Sequence, residues 1–112
     1  MTVSSRPPLS CNLSALNPEQ RARHAQLWKE VRTLTMPDAF EHGIAFRLEA
    51  TPTLAQTVAE LASLERLCCP FLTLTMTFTP AGGPLLFELT GDREVQAVLA
   101  AEFGTTRRAQ EG

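Results

Sequence analysis

Phe71-Leu72-Thr73-Leu74-Thr75-Met76-Thr77-Phe78-Thr79-Pro80-Ala81-Gly82-Gly83-Pro84-Leu85-Leu86-Phe87-Glu88-Leu89-Thr90 is the stretch that decides the fold. Leu72, Leu74, Met76 and Phe78 alternate with threonines, which is the two-residue period of a strand, and β-branched residues suit its open face. Pro80 to Pro84 is a turn, after which Leu85, Phe87 and Leu89 alternate with Leu86, Glu88 and Thr90. Two such strands joined by a short turn predict an antiparallel hairpin.

Upstream of the hairpin, Thr51-Pro52 is a helix start, with a hydroxyl cap and a proline at the first helical position. The helix should run from Pro52 to about Cys69 and stop at Pro70. Further upstream, Gly43 to Glu49 alternates Ile44, Phe46 and Leu48 with Ala45, Arg47 and Glu49, a half-buried strand. Asn17-Pro18-Glu19-Gln20 opens an earlier helix over Pro18 to Leu34, in which Leu27, Trp28, Val31 and Leu34 share a face that His24 extends. Downstream, Asp92 caps a last helix in which Val95, Val98, Leu99 and Glu102 or Phe103 share a face, and Gly104 is a fitting stop.

The order helix, strand, helix, strand, strand, helix predicts an α+β fold. Its sheet is small, antiparallel and three-stranded, in spatial order 1-3-2, like a ferredoxin-like unit without its last strand. Two helices cover the sheet, and the N-terminal helix is an addition at one edge. Residues 1–16, rich in Ser and Pro, are expected as a mobile arm whose end Cys11 and Leu13 anchor, residues 17–104 as a single domain, and residues 105–112 as a frayed tail. A free sheet edge makes a homodimer an open expectation.

At 112 residues the chain suits one domain. Its 10 basic residues against 12 acidic ones are scattered along the chain, so no partner nucleic acid and no anionic membrane surface is expected. No apolar run approaches the roughly 18 residues that span a bilayer, and residues 1–10 lack the apolar core of a signal peptide. These features predict a soluble, cytoplasmic protein. Three cysteines, two of them adjacent, argue against a disulfide framework and for reduced thiols or metal ligands.

The chemistry concentrates in Glu65-Arg66-Leu67-Cys68-Cys69-Pro70-Phe71. At about 100° per residue, Leu54, Val58, Leu61, Ala62, Glu65, Cys68 and Cys69 fall on one stripe, with Glu65 near its middle. A glutamate facing a core is unusual. With Cys68 and Cys69 at i+3 and i+4, and with Cys11 brought over them by the arm, the site would offer thiolates and a carboxylate to a soft metal ion. His24 is the available nitrogen ligand, and His42, in a glycine-containing loop, is a weaker one. Zinc, cuprous copper, mercuric ion and trivalent arsenic all favour sulfur. The spacing is no zinc-finger signature, and cysteine also packs as a small hydrophobe, so quiet burial competes with metal binding. The alternative for Glu65 is a carboxylate held simply by hydrogen bonds from the backbone or from His24.

Two further readings stay open. A thiol-redox enzyme would use Cys68 or Cys69 as nucleophile and Glu65 as base, against the negative end of the helix dipole, which disfavours a thiolate there. A binding module would place an apolar ligand between the first helix and the sheet, lined by Trp28, Phe40, Phe46, Phe71, Met76 and Phe78. Neither a glycine-rich phosphate loop nor a serine-hydrolase elbow occurs. A non-catalytic role is favoured over an enzyme.

Leu64 to Leu72, the strand after it, the glycine-rich turn, and Leu89-Thr90-Gly91 resemble a family of small bacterial proteins bearing a Glu-x-x-Cys-Cys-Pro-Phe motif. Similar segments are attached to regulators of the mercury-resistance type (MerR-like). Cys11-Asn12-Leu13 and the leucine-tryptophan stretch of the first helix extend the resemblance from Cys11 to Phe103. It implies that Glu65, Cys68 and Cys69 are the site, and it makes sensing of a small thiophilic ligand or soft metal the expected function. The chain shows no helix-turn-helix part, so direct DNA contact is not expected.

Overall fold

The computed structural model describes residues 9–104. Residues 1–8 of the expected arm and the tail expected over 105–112 lie outside the described residues. Each helix begins where its cap predicts. Helix α1 spans Pro18–Leu34, and Asn17 and Gln20 form a reciprocal capping box at its start. Thr51 caps helix α2, Pro52–Cys68, and Asp92 caps helix α3, Arg93–Phe103, which ends on left-handed Gly104.

The sheet has four strands: β1 (Asp38–Phe40), β2 (Gly43–Leu48), β3 (Thr73–Phe78) and β4 (Leu85–Thr90). They are antiparallel in the order β1-β2-β4-β3. The three expected strands stand in the expected 1-3-2 order, and the three-stranded sheet is corrected by β1 at its outer edge. Three residues are too few for alternation to register, and β1 exists because a tight turn folds Phe40 back onto Gly43. Gly43 is required there, since a Cβ would run into the backbone of Leu89 on β4.

Alternate residues of the two central strands, Ile44, Phe46 and Leu48 with Leu85, Phe87 and Leu89, are buried in one core. Phe46 stands opposite Phe87 in the pairing register. From the helices, Val58 and Leu61 of α2 and Val95 and Leu99 of α3 enter the same core. Helix α1 does more than decorate an edge. Its Leu27 and Val31 are fully buried, and the Trp28 ring packs 5.4 Å from Phe46 and 5.2 Å from Phe103. On the exposed side, the Arg23 guanidinium grips the Glu60 carboxylate through two 2.8 Å hydrogen bonds and holds its pKa below the ordinary value.

The described part of the arm is tied down. Leu13–Ala15 form a turn of 3-10 helix, Leu16 is buried, and the Asn12 amide donates to the Cys68 carbonyl at 2.7 Å. The arm therefore caps one of the orphan carbonyls in the last turn of α2. No helix among the described residues is long and apolar enough to cross a membrane.

Candidate functional site

The last turn of α2, α1 and the arm meet at one place. Glu65 is 4% exposed and is the only buried charged side chain among the described residues. A buried carboxylate must have partners, and α1 supplies two from one face, a helical turn apart. His24 Nε2 shares a 2.7 Å hydrogen bond with Glu65 Oε1, and Trp28 Nε1 donates to the same oxygen at 2.9 Å. The expected His24–Glu65 contact is present. The part played by Trp28 escaped sequence reading, although its i+4 spacing from His24 was the available signal.

Cys68 is fully buried and keeps a free thiol. Its sulfur lies 3.7 Å from His24 Nε2 and 3.7 Å from the Cys69 sulfur. Burial, and secondly the negative charge of Glu65, push the Cys68 thiol up to about 11.

The expectation that all three thiols are reduced is corrected, because Cys11 and Cys69 form a disulfide across 58 residues of sequence, with a Cα–Cα distance of 4.5 Å. Two physical facts produce this. An odd cysteine count forbids full pairing but not one pair. Moreover, Cys69 precedes Pro70, whose ring disfavours helical backbone in the residue before it. Cys69 accordingly leaves the helix at φ −126° and ψ 69°, and its sulfur bonds to that of Cys11 on the arm while staying 3.7 Å from that of Cys68.

Two overlapping donor sets result. The ligating atoms of His24, Glu65 and Cys68 lie within 4.8 Å of one another, and so do those of Cys11, Glu65 and Cys69. All five expected site residues are thus brought together. His42 belongs to neither set and is exposed beside Glu41.

Next to the cluster opens a cavity of about 470 Å³, whose lining includes Cys11, His24, Glu65, Trp28, Phe71 and Phe103. Of the six residues expected around an apolar ligand, Trp28 and Phe71 line it. Phe46 is fully buried in the core instead, Phe78 is 60% exposed on the edge strand β3, and Phe40 lines a separate, smaller hollow beside α3. No protein family, curated protein or solved structure matches the chain.

Proposed function

We propose that this chain binds a soft metal or metalloid ion through Cys68, His24 and Glu65, and that Cys11 and Cys69 join the donor set when their disulfide opens. The convergence of these side chains on one point carries the reading. Tetrahedral zinc, with bonds of about 2.0 Å to nitrogen and about 2.3 Å to sulfur, separates N from S by about 3.5 Å and two sulfurs by about 3.8 Å. The observed separations are 3.7 Å for Cys68 to His24 and 3.7 Å for Cys68 to Cys69. The His24–Glu65 pair, at 2.7 Å, must widen, by about 0.6 Å on the same geometry, as a metal replaces the proton between them.

Deprotonation of Cys68 is the step that burial opposes and metal binding drives, since a coordinated thiol gives up its proton to the solvent. Trp28 then steadies Glu65 from outside the ligand set, as hydrogen-bonding neighbours of metal ligands do. A reducing cytoplasm would present all three sulfurs and raise affinity for the softest ions. The resemblance of Glu65 to Phe71 to segments of mercury-resistance-type regulators favours the same class of ligand.

A second reading has one observation in its favour, the Cys68 thiol beside the Cys11–Cys69 bond, which is the layout for thiol–disulfide exchange. Against it stands the raised pKa of Cys68. Elemental analysis after dialysis against zinc separates the two. One zinc per chain, lost in Cys68→Ser, is expected for a metal site; equal zinc in wild type and variant would remove it.

A further inference from the structure

The cavity is too large for the ion alone. A bare metal ion coordinated by Cys68, His24 and Glu65 would leave about 470 Å³ beside it unfilled, a volume within the usual range for small-molecule sites. The walls there are mainly hydrocarbon and aromatic. Trp28 and Phe103 pair at 5.2 Å and 53°, Phe71 and Leu99 continue the apolar surface, and Arg32, 5.0 Å from the Phe103 ring centroid, and Glu102 form its polar side. Cys11, His24 and Glu65 belong to the same lining. Sulfur and an apolar chamber therefore share one wall.

We infer that the preferred ligand is a soft element carrying one apolar organic group, with a trivalent aryl arsenical as the type compound. This inference rests on the soft-metal reading and specifies its ligand. In the reduced protein, the sulfurs of Cys11 and Cys69, which already meet, bind arsenic, and the aryl group occupies the cavity. The arm keeps Cys11 in place without the disulfide, because the Asn12 amide remains bonded to the Cys68 carbonyl.

The chemistry balances without a change of oxidation state at arsenic. A dithiol reductant first supplies two electrons to open the Cys11–Cys69 bond. An arylarsonous acid, R–As(OH)2, then forms two As–S bonds and loses two As–O bonds, and each departing hydroxide takes a thiol proton and leaves as water. A methyl group in place of the aryl group allows the same two bonds but leaves the cavity empty.

The test compares phenylarsonous with methylarsonous acid on the full chain, reduced with a phosphine that is removed before titration. Dithiothreitol in solution supplies the intrinsic ratio of the two affinities. The protein should favour the phenyl compound by at least about tenfold more than the free dithiol does, as burying even half of a ring implies. Ala25 is exposed on α1 and lines the cavity, so Ala25→Trp fills the space without removing a core side chain. That variant should lose the phenyl preference and keep its affinity for the methyl compound. Binding of both arsenicals at the free-dithiol ratio would overturn the aryl preference while leaving the soft-metal site standing. Failure to bind either would overturn the arsenical site and remove Cys11 and Cys69 from the soft-metal donor set, while the zinc content of wild type against Cys68→Ser decides the Cys68, His24 and Glu65 site separately.

Discussion

Helix α2 buries one stripe along its length, and its two ends meet opposite surroundings. Val58 and Leu61, fully buried, enter an apolar core with Phe46 and Phe87. One turn beyond Leu61, the same stripe carries Glu65 and Cys68 into contact with His24, Trp28 and a disulfide. Burial at the first end is its own explanation, because removing hydrocarbon from water stabilises the fold. At the second end burial is unfavourable for a carboxylate unless every partner is supplied, and α1 supplies them. A helix that needed only to pack could carry leucine at position 65, so the second end is where a ligand is to be sought.

The largest expected effect belongs to the apolar end. Leu61→Ala should lower stability by about 2–5 kcal/mol in denaturant unfolding, the range for an emptied core site, with the metal affinity of the folded protein unchanged. A shift in affinity as large as that of Cys68→Ser would show that the two ends are not separate. Next comes the disulfide. Cys11→Ser frees a loop of 58 residues and should destabilise by about 2–4 kcal/mol. The fold should survive, as read by circular dichroism, because Leu16 and the Asn12 amide still hold the arm.

Trp28→Phe keeps an aromatic ring against Phe46 and Phe103 and deletes only the donor to Glu65. A loss of about 1.5–3 kcal/mol is expected, since the deleted bond reaches a carboxylate. A neutral outcome would mean that His24 alone suffices. The smallest effect on stability, near zero at neutral pH, comes from the thiol of Cys68. Its folded pKa of about 11 lies above that of the unfolded chain, so the native state holds the extra proton. Stability is unaffected below the unfolded pKa and falls as pH rises toward about 11. Alkylation of Cys68 at pH 8 should be slow accordingly, with about one thiol in a thousand ionised at that pKa. Rapid labelling would favour the thiol–disulfide reading instead.

Sequence and structure agree most closely where short-range chemistry decides. Asn17-Pro18, Thr51-Pro52 and Asp92 set three helix starts because capping is settled within four residues. The threonine alternation of β3 and the apolar alternation of β4 likewise announce their faces. Strand β1 was hidden because its existence depends on a partner, with Asp38 to Phe40 extended only against Ala45 to Gly43. At the site, the helical stripe placed Glu65 and Cys68, and the face of α1 placed His24. The Cys11–Cys69 pair was not legible from cysteine counting, although the proline after Cys69 was the clue that this residue leaves the helix.

Cys68, His24 and Glu65 either hold a soft ion or merely satisfy one another in the core. The most direct measurement is a titration of the phosphine-reduced chain with cadmium, followed by the ultraviolet sulfur-to-metal charge-transfer band, in wild type, Cys68→Ser and His24→Ala. One ion per wild-type chain is expected, with a weaker band in Cys68→Ser. In His24→Ala the band should keep its intensity while affinity falls by tenfold or more. No band in the reduced wild type, or the same band and affinity in all three proteins, would rule out a soft-metal site at these residues.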